Sequence, residues 1–247
     1  MSDSRILRLN PALNPADYAE AFQRDGYVRI PEIFEPDTAD AIAMMLEQGT
    51  PWIPVISDAK GREEPITREI AERLGPAGVQ ERLKALMAQA REGFAYSYLH
   101  YPMLSAYLQG QHPGHPLHVV TEYMNGREFL DFGQAVIGHP HIVKADVQAS
   151  FYRPGDFLNL HDDLGDIAER RAAYTLGFAR RWRPDWGGQL LIHDAQGGIA
   201  RGFAPSFNAM TLFKVPTWHS VAPVASFAGG PRLSITGWLR DDPPAGG

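Results

Sequence analysis

The 247-residue sequence has no cysteine, which excludes disulfides and thiolate-bound metals alike. Long apolar runs are also missing. No window approaches the roughly 18 apolar residues of a membrane span, and Met1 to Arg8 lacks the continuous apolar stretch of a signal peptide, so a cytoplasmic protein is expected and no membrane partner. Positive charge is in short supply. Lys and Arg number 23 against 29 Asp and Glu, giving a net charge of −6. Without a basic run to track phosphates, a nucleic-acid partner is not expected. Internal repeats and low-complexity tracts are absent, and the tail Asp241 to Gly247 reads as frayed.

What is present suits one globular unit over 1–247, with 44% hydrophobic and 21% charged residues. A helical lead-in over about 1–140 gives way to a strand-rich core over about 141–241. Pro15 to Arg24 and Asp37 to Gln48 have helical spacing, with Gly26-Tyr27-Val28-Arg29-Ile30 as a strand between them. Gln80 to Arg91 repeats the helical pattern, and Glu122 to Ile137 shows a weaker version. From His141 onward, short β-branched or aromatic runs are separated by Gly, Pro and Asp. Residues 49–76 are polar and carry Pro51, Pro54, Gly61 and Pro65, so a loop is expected, closing over the site with Trp52 and Ile53 on its inner side.

The chemistry concentrates in His161-Asp162-Asp163, with His219 and Arg232 further on. On a strand, residues i and i+2 share a face, so His161 and Asp163 converge while Asp162 turns away. With His219, from the strand-like Trp218-His219-Ser220-Val221, they supply two imidazoles and one carboxylate. That set on one face of a metal leaves the other positions open, as in non-heme Fe(II) oxygenases. Arg232 and Ser234 lie on one face of an otherwise apolar strand (Leu233, Ile235, Trp238, Leu239). An always-charged guanidinium there needs a partner, and its planar fork pairs bidentately with the far carboxylate of a dicarboxylic acid. A structural ion pair with one of the chain's own acids is the alternative.

In order along the chain, Tyr152-Arg153-Pro154-Gly155-Asp156-Phe157-Leu158, His161-Asp162-Asp163, Trp186-Gly187-Gly188-Gln189-Leu190, Phe207-Asn208, His219-Ser220-Val221 and Arg232-Leu233-Ser234-Ile235-Thr236-Gly237-Trp238 resemble the prolyl-hydroxylase-like branch of the 2-oxoglutarate- and Fe(II)-dependent oxygenases. The resemblance covers about 142–241, and Gly26 to Ile42 looks like that branch's lead-in. It implies a mainly β fold with flanking helices, a double-stranded β-helix or distorted jelly roll. It also implies Fe(II) on His161, Asp163 and His219, with 2-oxoglutarate held by Arg232, Tyr152 and Ser234. Dioxygen is then the oxidant and ascorbate a stimulant. The expected activity is a dioxygenase that hydroxylates an unactivated C–H bond, with 2-oxoglutarate leaving as succinate and carbon dioxide. The sequence departs from the animal oxygen-sensing enzymes at Leu176 and Gly177, where those carry tyrosines.

The resemblance favours a prolyl or other side chain of a protein or peptide. A free amino acid or small metabolite is the runner-up, since fold and cofactor do not fix the substrate. A non-catalytic metal-binding jelly roll of the cupin type is a third reading, against which Arg232 and Tyr152 speak, because a structural metal needs neither. Other residues have plainer readings. His112, His115 and His118 sit in a Pro- and Gly-broken loop without a fixed face. His193 has no carboxylate two residues away. Arg170, Arg171, Arg180, Arg181 and Arg183 read as a solvated face, with the docking of an acidic partner segment as the alternative, and Phe94, Tyr96, Tyr98 and Tyr101 as a packed strand or hairpin, with the lining of a substrate channel as the alternative. Asp146, Gln148 and Ser150 give one strand a polar face, which supplies buried polar contacts near the cosubstrate if it looks into the barrel.

Overall fold

A computed structural model describes residues 7–164 and 169–242. The expectation of a frayed tail therefore lies mostly outside the described residues. In chain order the elements are α1 (Ala16–Asp25), β1 (Tyr27–Pro31), α2 (Pro36–Glu47), β2 (Ile53–Ser57), β3 (Glu63–Pro65), α3 (Arg68–Glu92), β4 (Tyr96–Tyr101), α4 (Met103–Leu108), α5 (Leu117–Met124) and α6 (Arg127–Ile137). The core follows as β5 (Lys144–Ala145), β6 (Gln148–Tyr152), β7 (Phe157–His161), β8 (Arg170–Phe178), β9 (Leu190–His193), β10 (Ile199–Phe203), β11 (Phe207–Lys214), β12 (His219–Val221) and β13 (Arg232–Arg240).

Eight of these strands form the jelly roll. Pairing runs β11-β8-β13-β6 in one sheet and β7-β12-β9-β10 in the other, antiparallel throughout, and β4 bridges the two by pairing with both β6 and β7. Alternation along β13 explains which face is which. Leu233, Ile235 and Leu239 join the large apolar cluster with Ile42, Phe129 and Val136 of the helices, while Arg232, Ser234, Thr236 and Trp238 take the opposite, inward face. Gly237 is the exception that makes room, since a Cβ there would run into the main-chain oxygen of Asp146.

The helices are ended by local chemistry. The Asn14 side chain accepts from the Ala16 N–H at the start of α1, and Gly26, at φ 80°, closes it in the left-handed conformation with its N–H on the Phe22 carbonyl. Thr67 caps α3 by accepting from the Ile70 N–H, and Gly75-Pro76 kinks that helix. On α6, Phe129, Leu130, Val136 and Ile137 bury one face. Each such side chain contributes about 1.5–3 kcal/mol when withdrawn from water.

Four expectations need correction. Residues 49–76 are not a loop: β2 and β3 form a hairpin that adds to β4, and α3 begins at Arg68. Prolines masked the signal, but Pro54 lies between β-forming Ile53 and Val55, and the Asp58 carboxylate organises the turn by accepting from the Lys60 and Arg62 N–H groups. Trp52 is not the inner side of a lid, because its ring packs on Phe151 at 5.4 Å on the helix side of the sheet. The lead-in is less helical than expected, since besides the expected strand, β1, which pairs with β11, it supplies β4, which sits between the sheets. The single pattern over Glu122 to Ile137 is two helices, broken at Asn125-Gly126.

Candidate metal and cosubstrate site

Register brings together residues far apart in sequence. His219 of β12 pairs directly with His161 of β7, so the side chains form a cross-strand pair and the two rings sit 4.0 Å apart. Asp163 arrives by another route than strand alternation. The strand ends at His161, and Asp163 takes a left-handed φ of 62° in the bend that follows. Asp162 Oδ1 supports that bend by accepting from the Leu164 N–H. The expectation that a strand's alternation turns Asp162 away is therefore corrected, and Asp162 also lines the cavity.

Nitrogen and oxygen donors of His161, Asp163 and His219 all lie within 4.8 Å of one another. Their hydrogen bonding decides what they can hold. His161 Nδ1 is 2.8 Å from the Asn159 carbonyl, and His219 Nδ1 is 2.8 Å from the Thr217 carbonyl. A carbonyl only accepts, so each Nδ1 must carry the hydrogen, which leaves each Nε2 a bare lone pair. Those lone pairs face Asp163 oxygens at 3.3 and 3.5 Å. Burial, and then the neighbouring His161, push His219 down to about 4, so it does not take up a second proton at neutral pH. Burial raises the Asp163 carboxyl, but His161, His219 and Trp238 outweigh it and hold it at about 2. With both imidazoles neutral, three acceptors converge on one point. A cation completes the arrangement, and this donor set fits Fe(II).

Two residues hold Asp163 in place. The Trp238 indole N–H donates to Asp163 Oδ2 at 2.9 Å, and Arg170 donates to the Asp163 main-chain oxygen at 3.0 Å. The Arg170 guanidinium also lies 3.8 Å above the Trp238 ring. Arg170 is therefore part of the site, whereas Arg171, Arg180 and Arg183 lie on a solvated face as expected, paired with Asp241, Asp40 and Asp185. Sequence signals for these partners were thin. Trp238 could have been found from its register on the inward face of β13, whereas nothing before the fold marks Arg170.

A cavity of about 530 Å³ opens from the three donors, with Arg232 and Tyr152 in its wall. Arg232 is 4% exposed, and among the described residues no carboxylate pairs with it. Its partners are the Ser234 hydroxyl, 3.1 Å from Nη1, and the Tyr152 ring, 4.9 Å from its guanidinium carbon. Ser234 in turn meets the Ser150 hydroxyl at 2.8 Å across the strand pair. The structure thus places Ser234 behind the guanidinium and off the cavity wall, where it holds Arg232. Of that strand's polar face, Gln148 and Ser150 line the cavity, while Asp146 pairs with Arg240. Gly188, at φ 67°, lets the Trp186-to-Leu190 turn pass close by: a Cβ there would come within 3.4 Å of Arg232 Cδ and 3.0 Å of Trp182. A buried cation without an anion is costly unless one arrives as ligand.

The remaining candidates stay apart. His193 donates to or accepts from Ser220 at 2.9 Å, and the His112, His115 and His118 rings gather around Tyr101 and Tyr107 away from the cavity. Tyr96 and Tyr98 lie on β4 with Phe94 just before it, and all three form one wall of the cavity, in line with the channel alternative.

A family model for the 2OG-Fe(II) oxygenase superfamily matches residues 147–240. No curated protein matches the chain. Among solved structures, a Pseudomonas putida prolyl-4-hydroxylase aligns with 93% of this chain and 100% of its own, at TM-score 0.58 and 19% identity. A Trichoplax adhaerens prolyl hydroxylase in complex with a hypoxia inducible factor oxygen degradation domain peptide fragment aligns over 92% and 89%, at 0.61 and 14%. The non-heme alpha ketoglutarate dependent epimerase SnoN from nogalamycin biosynthesis aligns over 92% and 83%, at 0.56 and 12%. At such identities the likeness is one of fold.

Proposed function

We infer that this chain, a 2-oxoglutarate- and Fe(II)-dependent oxygenase of the superfamily that its residues 147–240 match, hydroxylates an unactivated C–H bond of a prolyl or other side chain in a protein or peptide. The observation that carries the cofactor assignment is the pair of complementary deficits in one cavity. Three acceptors lack a cation, and a buried guanidinium lacks an anion. In this reading His161, Asp163 and His219 hold the iron, and Arg232 takes the far carboxylate of 2-oxoglutarate with a two-pronged hydrogen bond. When bound, iron with 2-oxoglutarate and dioxygen supplies a two-electron oxidation that puts one oxygen atom into the substrate C–H bond and the other into succinate, with release of carbon dioxide.

The protein's own residues orient and exclude. The carbonyls of Asn159 and Thr217 fix both imidazole tautomers, so each Nε2 is presented without a proton to displace. Trp238 occupies one Asp163 oxygen, leaving Oδ1 the freer donor. Tyr152, buried and stacked on Tyr98 at 4.9 Å, closes the wall beside Arg232 and keeps water from the cosubstrate carboxylate. Support for a peptide substrate comes from the fold shared with two prolyl hydroxylases, one of them bound to a peptide. A small-molecule substrate is the second reading, favoured by the same fold in the epimerase SnoN. Succinate release from 2-oxoglutarate, with Fe(II) and with proline-containing peptides or free amino acids, tests both. Stimulation by peptides alone supports the first reading, and stimulation by free amino acids alone overturns it.

A further inference from the structure

We propose that the mouth of this cavity recognises a cationic nitrogen on the substrate, an ammonium or guanidinium, held by the Glu63 carboxylate against the wall of Phe94, Tyr96 and Tyr98. The proposal rests on the oxygenase reading above and narrows its substrate class. Glu63 comes from the β2–β3 hairpin, lines the cavity, and has a side chain 43% exposed at its rim.

Charge bookkeeping inside the cavity leaves an excess of anion. Asp163 belongs to the three converging donors, and Arg232 stands beside Tyr152, where a cosubstrate carboxylate would meet it. Arg170 is committed to the Trp238 ring and to the Asp163 main chain. Two further carboxylates, Glu63 and Asp162, line the cavity, and among the described residues neither has a cationic partner. The nearest candidate for Glu63 is His100, with Nδ1 3.5 Å from Oε2. That imidazole is 5% exposed and pushed down to about 4 by burial, so it is neutral at physiological pH and cannot balance the charge. Its Nδ1 has no hydrogen-bond partner. Glu63 is also pushed up from the ordinary carboxylate range by desolvation, with no cation to oppose the shift.

The aromatic wall supplies the second half of the recognition. Phe94, just before β4, and Tyr96 and Tyr98 on its inward face follow one another with ring centroids 5.6 and 5.5 Å apart. The row begins 5.4 Å from the His161 ring, so a group lying on it is beside the oxidising centre. Aromatic faces with a nearby carboxylate attract ammonium and guanidinium groups through the ring quadrupole and the full negative charge together. A neutral proline ring would also lie on this wall. It would, however, cover Glu63 without compensating it, and desolvating an unpaired charge disfavours binding.

The test is calorimetric, on the full chain with Fe(II) and 2-oxoglutarate under nitrogen. Two probe pairs separate the two possible sources of the cation: n-butylammonium against n-butanol, and an acetylated Gly-Pro-Lys-Gly amide against its norleucine counterpart. In at least one pair the cationic member should bind roughly tenfold more tightly, the sum expected of one cation–π contact and one partly exposed ion pair. Preference in the first pair points to a small amine, and preference in the peptide pair alone to a basic peptide. In Glu63→Gln the preference should fall below about twofold, and in Glu63→Asp, which keeps the charge, part of it should return. Absence of binding by both cationic probes, equal affinity within both pairs, or a preference that survives Glu63→Gln overturns the proposal. Cosubstrate binding in the same samples keeps the two readings apart. Loss of 2-oxoglutarate binding counts against the oxygenase assignment, whereas intact 2-oxoglutarate binding without a cation preference counts against this one.

Discussion

Replacing Arg232 with Met separates a ligand anchor from a structural ion pair by the sign of a stability change. Arg232 is buried, its pKa is lowered by that burial, and its protein partners are one hydroxyl and one aromatic face. A structural ion pair broken from one side costs about 3–5 kcal/mol, because it strands the other charge. Here no carboxylate is left behind, so Met, similar in length and apolar, should leave stability unchanged or raise it by about 1–2 kcal/mol. Ligand binding should move the other way. Hydrogen bonds to charged groups contribute about 1.5–3 kcal/mol each, so losing a two-pronged contact should weaken 2-oxoglutarate by roughly 100-fold or more. At a 2-oxoglutarate concentration 100 times its Kd, the wild type gains about 2.7 kcal/mol of stability, or roughly 5–10 °C in Tm for a chain of this size. Scanning calorimetry with and without 2-oxoglutarate, metal present in both, reads both effects. The variant should melt at or above the wild-type temperature without cosubstrate and show almost no shift with it. A variant that melts several degrees lower and keeps the full shift would refute the anchoring role.

Other expected outcomes bear on the rest of the site. His161→Ala, Asp163→Ala and His219→Ala should each abolish Fe(II) binding while the circular dichroism spectrum stays native; full binding in any one moves the metal elsewhere. Trp238→Phe removes the N–H from Asp163 Oδ2 and should weaken Fe(II) by about 10-fold or more in a chelator competition, the usual cost of losing a group that orients a ligand. Asp162→Ala should cost Fe(II) affinity less than tenfold in the same competition, since its carboxylate supports the bend at Leu164 and donates nothing to the metal. His100 gives a pH signature. Its folded value is pushed down to about 4 while an unfolded histidine titrates near 6.5, so the unfolded chain binds a proton first as pH falls. Stability is complete above pH 6.5 and declines towards pH 4 by about 3 kcal/mol. Urea midpoints of His100→Phe should lose that part of the decline, and an unchanged slope would place the titration on other groups.

The fold was legible where one physical signal dominates. Alternation along β13 already separated Arg232 and Ser234 from Leu233, Ile235 and Leu239, and the sheets honour that division. His161, Asp163 and His219 could be grouped from residue type and spacing alone, because few side-chain sets suit an open iron site. The route by which Asp163 joins them could not be read, since alternation predicts a strand and a left-handed bend delivers the same side chain. The β2–β3 hairpin was hidden by prolines and charges whose meaning depends on β4 as a pairing edge. Arg170 and Glu63 were invisible for a related reason. Each is an ordinary surface-type residue until the register of two other strands sets it against Trp238 or the Tyr96–Tyr98 wall.

Incubating the purified chain with 2-oxoglutarate, dioxygen and Fe(II) and quantifying succinate, with His219→Ala as the paired control, decides whether the cavity is an oxygenase centre. Succinate release should require both iron and oxygen, match carbon dioxide mole for mole, and be absent in the variant. No iron-dependent succinate from a folded, iron-binding wild type, even with ascorbate and the cationic and prolyl probes present, would contradict that assignment.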